Sequence, residues 1–577
     1  MKKLWHKLTT TKPVVFFLLF PTLFCVFLFL DSFPLADFLS YTFRIKGLFK
    51  FFAAIFLYLG LTFSATVFLM AKNIILRIVA FCLLFLTLGT QYGYKHINGF
   101  GFSFFDANTL LSEMGFAGDA LSTFLPEVLN GLIVILVFTI LLAIAVSKYA
   151  QKIKTRTVLP SIAFFFALGY FVTWSTSGDQ VYPTMFKIPL LLTYASNYSL
   201  YNGPREDLEL SNEKPSEYKH IIFLVDESVR GDYFSINDKQ NPTTPYLASI
   251  SGKLVNYGIA SSGTNTSATA NFILRSGAGS ETFPDPEQMS LKRPNIFQYA
   301  KNAGFKTIFM DGQKGYLQNF MRKDELEYLD VTHFVEEGSM PRYDIDNHLA
   351  VELIKTIEES KAPTFSYIVK MGAHFHYETC YPQNEKVFTP TMEIGTLNSD
   401  SIKMRNSYRN AIRWSVDLFF KNLIPQLPDS TLVVYTSDHG QNLLEHGIKS
   451  THSDFKNPSP FQAMVPLFFY FSDSTQHSQF NYLAQNYNQA SHFNIFPTIV
   501  KLMGYSDSAL SGLGLKSLFD PLENERMFYS GNLFLSGNLE KNLFDNGEMK
   551  HFINTLNPPK VQLSVNQPET NDTISSQ

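Results

Sequence analysis

Three short segments hold the residues whose types and order could do chemistry. The first is the run Val225-Asp226-Glu227-Ser228-Val229-Arg230, which follows an apolar stretch. The second and third are Gly263-Thr264-Asn265-Thr266 and Ser437-Asp438-His439-Gly440. Together they supply a carboxylate, a hydroxyl nucleophile and an Asp-His pair, which is the set that a metal-dependent phosphoryl or sulfuryl transferase needs.

A site built from Glu, Asp and His side chains with one hydroxyl predicts Zn²⁺ from its ligand types. Asp438 and His439 are adjacent, so their side chains diverge in a strand but can face one ion in a turn after a strand. Taken singly, each motif has a plainer interpretation: a polar turn, a helix-start carboxylate at Glu227, and a threonine that only caps a helix. Alternatively, a threonine oxygen is the nucleophile, and helix-end N–H groups receive a phosphate. The order and spacing of the motifs along one chain favour the catalytic interpretation.

The elements that must position these residues are short strands alternating with helices. Runs rich in β-branched and aromatic residues predict buried strands at Ile221–Val225, Thr307–Met310, Thr364–Lys370, Thr431–Thr436 and Leu467–Phe471. Helical spacing recurs at Asn295–Ala303, His348–Glu358 and Ser407–Leu423. This alternation predicts an α/β domain with a largely parallel central sheet covered on both faces. Ligands in such domains bind beyond the carboxyl ends of strands, where Glu227 and Asp438-His439 lie.

The N-terminal part of the 577-residue chain is much more apolar than the rest, and the length indicates two or three domains. Five runs approach the roughly 20 apolar residues that cross a bilayer. They are Pro13–Leu30, Phe51–Met70, Ile74–Thr90, Leu132–Ser147 and Val158–Trp174. The first run resembles a signal peptide, but its length and the lack of a clear cleavage site favour a retained helix.

Positive charge predicts the orientation of these helices. Three basic groups belong inside the cytoplasm: Lys2, Lys3, Lys7 and Lys12; Lys72 and Arg77; and Lys148, Lys152, Lys154 and Arg156. Arg44, Lys46 and Lys50 run against the rule. Five spans then place everything after Trp174 outside the cytoplasm. The formal net charge of −3 gives no indication of nucleic acid as a partner.

The predicted domain organisation has four parts. Residues 1–176 form the transmembrane domain, and 177–218 form a connector whose stretch Ile188–Tyr194 could lie on the membrane surface. Residues 219–557 form the catalytic domain, and the polar residues 558–577 form a disordered tail. Cys380 is the sole cysteine after residue 176, so no disulfide can form within the catalytic domain.

The ordered motifs resemble those of the membrane-bound phosphoethanolamine transferases of Gram-negative bacteria. That family belongs to the alkaline phosphatase/sulfatase superfamily, and some members modify lipid A and confer polymyxin resistance. Its Gly-Glu-Thr-Ala-Arg corresponds to residues 226–230, its Thr-Thr-Pro to residues 243–245 and its Gly-Thr-x-Thr to residues 263–266. Ser437-Asp438-His439-Gly440 matches unchanged, and Gly372-Ala373-His374 resembles the family's Gly-Ser-His. Ser491-His492 resembles a Ser-His-Asp-Asn stretch.

The resemblance implies a site and a reaction. Glu227, Thr266, Asp438 and His439 would bind Zn²⁺, and Thr266 would attack the phosphorus of phosphatidylethanolamine and release diacylglycerol. The phosphoethanolamine–threonine intermediate would then pass its group to lipid A, a core oligosaccharide or another envelope acceptor. The protein is expected in the bacterial inner membrane among membrane lipids, as a monomer with its catalytic domain in the periplasm.

Further substrate contacts are implied as well. His374 and His452 would contact the phosphate or move a proton, and His376 and His446 are nearby competitors for these roles. In the loop predicted to lie outside between the third and fourth spans, Asn108, Ser112 and Glu113 are candidates for binding the donor headgroup.

Several positions depart from the family pattern. Ser262 and Phe272 stand where disulfide cysteines flank the nucleophile in well-known members, and Gln441 and Phe493 replace acidic residues. His452 is shifted by one residue in sequence from the position of the family's second phosphate-contacting histidine. These differences leave the reaction class intact and put the acceptor in doubt.

Two other functions stay open from sequence. One is a phosphoglycerol transferase of the same superfamily, and the other is a metal-free scaffold that binds an envelope component. A scaffold would be expected to lose the full Glu/Thr/Asp/His set. A sulfatase activity would need a Cys or Ser in a formylglycine-type motif, which residues 263–267 do not form.

Overall fold

Seven helices lie among the described N-terminal residues of the chain in the computed structural model. The model describes residues 13–30, 45–98, 101–112, 117–149, 152–175, 182–313, 317–336, 338–393, 400–455, 458–473, 480, 482–511, 513–522, 526–535 and 539–544. The N-terminal helices are α1 (Pro13–Leu30), α2 (Ile45–Leu69), α3 (Ile74–Asn98), α4 (Phe104–Ser112), α5 (Ala117–Tyr149), α6 (Thr155–Ser175) and α7 (Thr184–Asn197).

The five predicted apolar runs all fall on helices. By length and composition, four described helices can cross a membrane, over the windows Phe52–Leu69, Ile74–Ile97, Gly131–Lys148 and Thr155–Trp174. In α1 the apolar stretch Phe16–Leu30 is shorter. Helix α5 begins 15 residues before its predicted span, at Ala117, because a helix can continue through the polar residues that lower the local hydropathy.

Helix α7 contains the stretch Ile188–Tyr194, for which a position on the membrane surface was predicted. It packs against the short helix α4, where the rings of Phe104 and Tyr194 lie 4.8 Å apart. The proposed domain boundaries at residues 176, 218 and 557 remain predictions. The tail 558–577 lies outside the described residues.

A seven-stranded sheet organises the C-terminal part in the order β2-β7-β6-β1-β5-β3-β4. Strand β1 pairs in parallel with β5 and β6, and β3 pairs in parallel with β4 and β5, whereas β7 is antiparallel to β2 and β6. This confirms the predicted α/β domain with a largely parallel sheet. The strands are β1 (His220–Asp226), β2 (Leu254–Ser261), β3 (Lys306–Asp311), β4 (Val331–Phe334), β5 (Thr364–Val369), β6 (Thr431–Ser437) and β7 (Met464–Phe471). A hairpin adds β8 (Arg526–Gly531) and β9 (Leu539–Phe544).

Helices cover both faces of this sheet. Along β1, Ile221 and Phe223 belong to one hydrophobic core, while Ile222 and Leu224 belong to the other, as the alternation of side chains along a strand requires. The helices of this part are α8 (Pro245–Ser249), α9 (Ser267–Ser276), α10 (Ile296–Asn302), α11 (Ile345–Glu358), α12 (Ser401–Ile412), α13 (Phe419–Leu423), α14 (Leu483–Asn486), α15 (Ile495–Leu502) and α16 (Asp507–Ser511). A π-helical segment, Arg413–Leu418, joins α12 to α13.

Candidate metal centre

Two neighbouring parallel strands bring the acidic residues and the histidine together. Glu227 directly follows β1, and Asp438 and His439 directly follow β6. These strands are paired along their whole length up to Asp226 and Ser437, so they end side by side. Glu227, Asp438 and His439 are all buried, and one potential ligand atom from each lies within 4.8 Å of the others.

The geometry of these three residues fits a divalent metal ion. Nε2 of His439 lies 3.6 Å from Oε1 of Glu227 and 3.6 Å from Oδ2 of Asp438. Tetrahedral zinc with bonds of about 2.0–2.2 Å separates its ligand atoms by roughly 3.3–3.6 Å. Within the described part of the chain, the buried Oδ2 of Asp438 has no hydrogen-bond partner. Nδ1–H of His439 donates to the carbonyl of Gly440 at 2.7 Å, which leaves the Nε2 lone pair facing the carboxylates.

Burial sets the protonation of the three groups in the absence of metal. It raises the pKa of Glu227 to about 8, with the negative charge of Asp438 as the next cause. It also raises the pKa of Asp438 to about 6, and it lowers the pKa of His439. A cation would reverse this preference for uncharged carboxyl groups, since it favours ionised carboxylates.

Three side chains orient the Glu227 carboxylate. The hydroxyl of Ser228 donates to Oε1 at 2.7 Å, and the hydroxyl of Ser267 lies 3.3 Å from the same oxygen. The Nε2 amide group of Gln313 donates to Oε2 at 2.8 Å. Sequence reasoning missed Gln313, which follows the predicted strand at Thr307–Met310, because its contact with Glu227 depends on the order of the strands in the sheet.

The predicted nucleophile Thr266 lies at the N-cap of α9, with extended backbone angles. In the described structure, its hydroxyl hydrogen-bonds to the hydroxyl of Thr269. The hydroxyl of the next residue, Ser267, lies 3.1 Å from Nε2 of His439. The start of α9 therefore presents two neighbouring hydroxyls, and the one that contacts the candidate ligands belongs to Ser267.

The predicted phosphate-contacting histidines lie close to this cluster. The ring of His452 stacks on that of His439, with centroids 4.3 Å apart and planes at 27°. Nδ1 of His374 lies 2.7 Å from Nη2 of Arg342 and 2.6 Å from the carbonyl of Phe375. Burial and the Arg342 guanidinium lower the pKa of His374 to about 3. Burial and the nearby imidazoles of His439 and His374 lower the pKa of His452 well below its usual value.

The two competing histidines occupy different surroundings. His376 packs against the ring of Phe375, with centroids 4.1 Å apart, at the start of the turn Tyr377–Thr379. The backbone of His446 lies in the turn Glu445–Gly447, and its side chain lies outside the described atoms.

A buried ion cluster lies directly beneath Glu227. Nζ of Lys370 contacts Oδ2 of Asp226 at 2.6 Å and lies 3.6 Å from Oδ2 of Asp346. The Tyr435 hydroxyl donates to Oδ2 of Asp226 at 2.7 Å, and Oδ1 accepts the N–H of Glu227 at 3.1 Å. This cluster links the residues at the ends of β1, β5 and β6 to α11 and fixes the backbone from which Glu227 projects.

The candidate residues for binding the donor headgroup lie partly outside the described residues. Asn108 is half-buried on α4, Ser112 is described by its backbone alone, and Glu113 lies outside the described residues. One turn before Asn108, the ring of Phe105 lies 6.0 Å from that of Phe455, three residues after His452. Helix α4 is thus in contact with the segment that carries a predicted site histidine.

The positions that depart from the resembled family have local partners in this chain. The hydroxyl of Ser262 donates to the carbonyl of Thr264 at 2.6 Å. The ring of Phe272 packs against Phe320 and Phe534, with centroids 6.0 Å and 5.6 Å away. Hydrophobic packing of Phe272 therefore helps to hold α9 in place.

A comparison of the sequence with known protein families identifies a domain that contains this cluster and the start of α9. The sulfatase family model matches residues 219–505. The chain carries a sulfatase-family domain. All the candidate metal ligands, Thr266 and Ser267 lie inside this sulfatase-family domain, whereas helices α1–α6 precede it.

The sequence is also similar to individual curated proteins. A Kdo(2)-lipid A phosphoethanolamine 7''-transferase of Salmonella typhimurium is 27% identical over 333 residues, which cover 54% of this chain and 56% of that protein. Phosphoethanolamine transferase EptA of Helicobacter pylori is 23% identical over 413 residues, covering 64% of this chain and 77% of that protein. The chain therefore spans little more than half the length of the Salmonella relative.

A solved structure has the same overall fold over most of this chain. The integral membrane protein lipooligosaccharide phosphoethanolamine transferase A from Neisseria meningitidis superposes with a TM-score of 0.56 at 16% identity. The superposition covers 86% of this chain and 98% of that one. It confirms the predicted fold class, in which apolar N-terminal helices precede a sulfatase-like α/β domain. The resemblance to membrane-bound phosphoethanolamine transferases of the alkaline phosphatase/sulfatase superfamily is also confirmed.

Proposed function

We propose that this protein is a zinc-dependent membrane enzyme that transfers phosphoethanolamine from phosphatidylethanolamine to an envelope acceptor. Lipid A and core oligosaccharide are the acceptor classes that we infer. The observation that carries the proposal is the buried cluster of Glu227, Asp438 and His439 at the start of α9. The Ser267 hydroxyl contacts this cluster, and the preceding residue, Thr266, is the N-cap of the helix. The names of the curated relatives support phosphoethanolamine as the group and lipid A as one acceptor.

Glu227, Asp438 and His439 would hold the zinc, with Thr266 as a further ligand. Bound zinc would lower the pKa of a nearby hydroxyl and neutralise charge on the phosphoryl oxygens. Thr266 would attack the phosphorus of the donor, forming a new bond to Oγ1 while the bond from phosphorus to the diacylglycerol oxygen breaks. The proton lost from the Thr266 hydroxyl would end on the departing diacylglycerol oxygen. The N–H groups at the start of α9 would receive the phosphoryl oxygens. The acceptor would then attack the same phosphorus and release Thr266.

His374 and His452 are assigned to orienting the transferring group and to moving protons at their ring nitrogens. Their lowered pKa values keep both rings uncharged at neutral pH, so neither supplies a fixed positive charge. His374 lies against the Arg342 guanidinium, which places a permanent positive charge next to the ring that would contact the phosphate.

The location follows from the donor. Phosphatidylethanolamine stays in a bilayer, so the catalytic domain must work at a membrane surface. We infer the bacterial inner membrane, with the catalytic domain in the periplasm and the protein acting as a monomer. Asn108, Ser112 and Glu113 are proposed to contact the donor headgroup, since α4 lies beside the segment after His452.

The test is diacylglycerol release by purified full-length protein from phosphatidylethanolamine vesicles with Zn²⁺. We expect release by the wild type and a loss of at least about 1000-fold in Thr266→Ala, because this change removes the hydroxyl that would carry the covalent intermediate. The matched control is Thr332→Ala, at an exposed position of the edge strand β4. A wild type that releases no diacylglycerol would refute the proposal, and release from phosphatidylglycerol vesicles alone would identify a phosphoglycerol transferase.

Zinc content separates the enzyme from a metal-free scaffold. We expect stoichiometric zinc in the wild type and its loss in Asp438→Ala, since Asp438 supplies one of three buried ligand atoms. Asp429→Ala, at an exposed site, should keep its zinc. Elemental analysis that finds no zinc in protein reconstituted with Zn²⁺ would favour the scaffold.

A further inference from the structure

Ser267 occupies a position that the proposed reaction does not yet use. It is the first residue of α9, and its hydroxyl oxygen lies 3.3 Å from Oε1 of Glu227 and 3.1 Å from Nε2 of His439. Both of these atoms are candidate metal ligands. One hydroxyl thus contacts two residues that follow two different strands, β1 and β6.

We propose that Ser267 is a positioning residue of the metal centre. Its hydroxyl holds the Glu227 carboxylate in its ligating orientation and attaches the start of α9, with Thr266, to the residues that bind the metal. This assignment rests on the proposed function, because it presumes that Glu227 and His439 are ligands and that α9 carries the nucleophile.

The hydrogen-bond directions support this role. Nδ1–H of His439 donates to the carbonyl of Gly440, so Nε2 carries a lone pair and no proton. When that lone pair binds a metal ion, Nε2 no longer competes for the proton of the Ser267 hydroxyl, and the hydroxyl can donate to Oε1 of Glu227 at 3.3 Å. The same oxygen accepts the hydroxyl of Ser228 at 2.7 Å. Two hydroxyl donors on the same side of the Glu227 carboxylate fix the direction in which it points.

The link between α9 and the ligands depends on this side chain. Among the described residues, the Thr266 hydroxyl bonds to Thr269 within its own helix. Ser267 instead bonds across to β1 and β6. Side chains that orient metal ligands in this way typically contribute 10- to 100-fold to metal affinity.

Variants at position 267 separate the hydroxyl from the helix. Ser267→Ala removes the hydroxyl and keeps a good helix former. Ser267→Thr and Ser267→Val have nearly the same shape and differ in whether they carry the hydroxyl, so their comparison controls for packing. Ser401→Ala is the matched control, since Ser401 is also the first residue of a helix, α12, and follows an aspartate N-cap.

Zinc dissociation constants of the full-length variants, measured by competition with a chromophoric chelator, test the proposal. We expect Ser267→Ala and Ser267→Val to bind zinc at least about tenfold more weakly than wild type, and Ser267→Thr to restore most of the affinity. Ser401→Ala should match wild type. Equal zinc affinity of the Thr and Val variants would overturn the proposal.

The site of covalent labelling provides the second measurement. Peptide mass spectrometry of protein trapped with phosphatidylethanolamine should find phosphoethanolamine on Thr266. A label on Ser267 would overturn the proposal, because Ser267 would then be the nucleophile. A wild type that binds zinc but yields neither label nor diacylglycerol would refute the proposed function and leave the zinc affinities to decide the role of Ser267.

Discussion

A proton and a metal ion compete for each candidate ligand. The pKa of Glu227 is raised to about 8 and that of Asp438 to about 6, in both cases chiefly by burial. Both pKa values belong to the metal-free protein, where an ionised carboxylate in this buried site is costly. Zinc binds the ionised forms, so its binding must release protons at neutral pH.

The affinity for zinc should therefore rise steeply with pH. We expect the association constant to increase by about 100-fold per pH unit below about pH 6, where two protons leave, and by about tenfold per unit between 6 and 8. Above about pH 8 it should level off. Competition titrations from pH 5 to 9 would measure this profile, and Glu227→Gln should remove the dependence between 6 and 8. An unchanged affinity between pH 6 and 8 in the wild type would contradict the assignment of Glu227.

The ion cluster around Lys370 holds the ends of neighbouring strands together. Lys370 follows β5, Asp226 ends β1 and Asp346 lies in the first turn of α11. Nζ of Lys370 also donates to the carbonyl of Ser415 in the π-helical segment and lies 4.2 Å from the centre of the Phe419 ring. Four elements besides β5 thus meet at one buried ammonium group.

Replacing this ammonium should destabilise the catalytic domain. Lys370→Met leaves Asp226 and Asp346 buried without their counter-ion, which costs about 3–5 kcal/mol when one partner of a buried pair is removed. Lys301→Met is the control, because its pair with Asp330 is partly exposed and such pairs contribute about 0–1 kcal/mol. Thermal unfolding in detergent should show a much larger fall in midpoint for Lys370→Met. Equal falls would show that the cluster does not stabilise the strand ends.

The strands that the sequence predicted are those buried on both faces of the sheet. Strands β1, β3, β5, β6 and β7 are runs of large apolar residues, so their pattern is unambiguous. Strand β2 was missed because Asn256 and Gly258 interrupt it, at the place where its register with β7 shifts. Strand β4 was missed because it is a four-residue edge strand with a mixed pattern.

The site was predictable where a residue directly follows a strand, and less so elsewhere. Glu227, Asp438 and His439 are fixed by neighbouring parallel strands, so their meeting follows from the sheet order. The contact of Ser267 with His439 depends on how α9 docks against the sheet, which no local pattern encodes. Gln313 reaches Glu227 only because β3 and β1 both flank β5, and this strand order is not visible in the sequence.

At the scale of the whole molecule, α4 and α7 connect the apolar helices to the catalytic domain. Leu535, after the hairpin strand β8, is buried in one cluster with Phe102 and Phe104 around α4 and with Leu191 of α7. The contact between Phe105 and Phe455 adds a second point of attachment. The catalytic domain therefore contacts the helical part at the end where α3 and α6 finish.

The basic loops lie at the opposite end of the helical part. Their position predicts how the protein is oriented in the membrane. The turn after α2 and the segment before α6 meet there, since the N–H of Lys72 donates to the carbonyl of Ile153 at 2.7 Å. Both belong to basic groups that the positive-inside rule assigns to the cytoplasm. Their contact in the fold places them on one side, as five spans with an internal N-terminus require.

Cysteine labelling in spheroplasts tests this orientation. In a Cys25→Ser, Cys82→Ser background, Asp429→Cys should react with a membrane-impermeant maleimide, because position 429 is exposed on the catalytic domain. Lys154→Cys, exposed at the basic end, should react only after detergent opens the membrane. The parent with Cys380 alone should stay unlabelled, since that thiol is buried. The reverse pattern would place the candidate metal centre in the cytoplasm and contradict the proposed orientation.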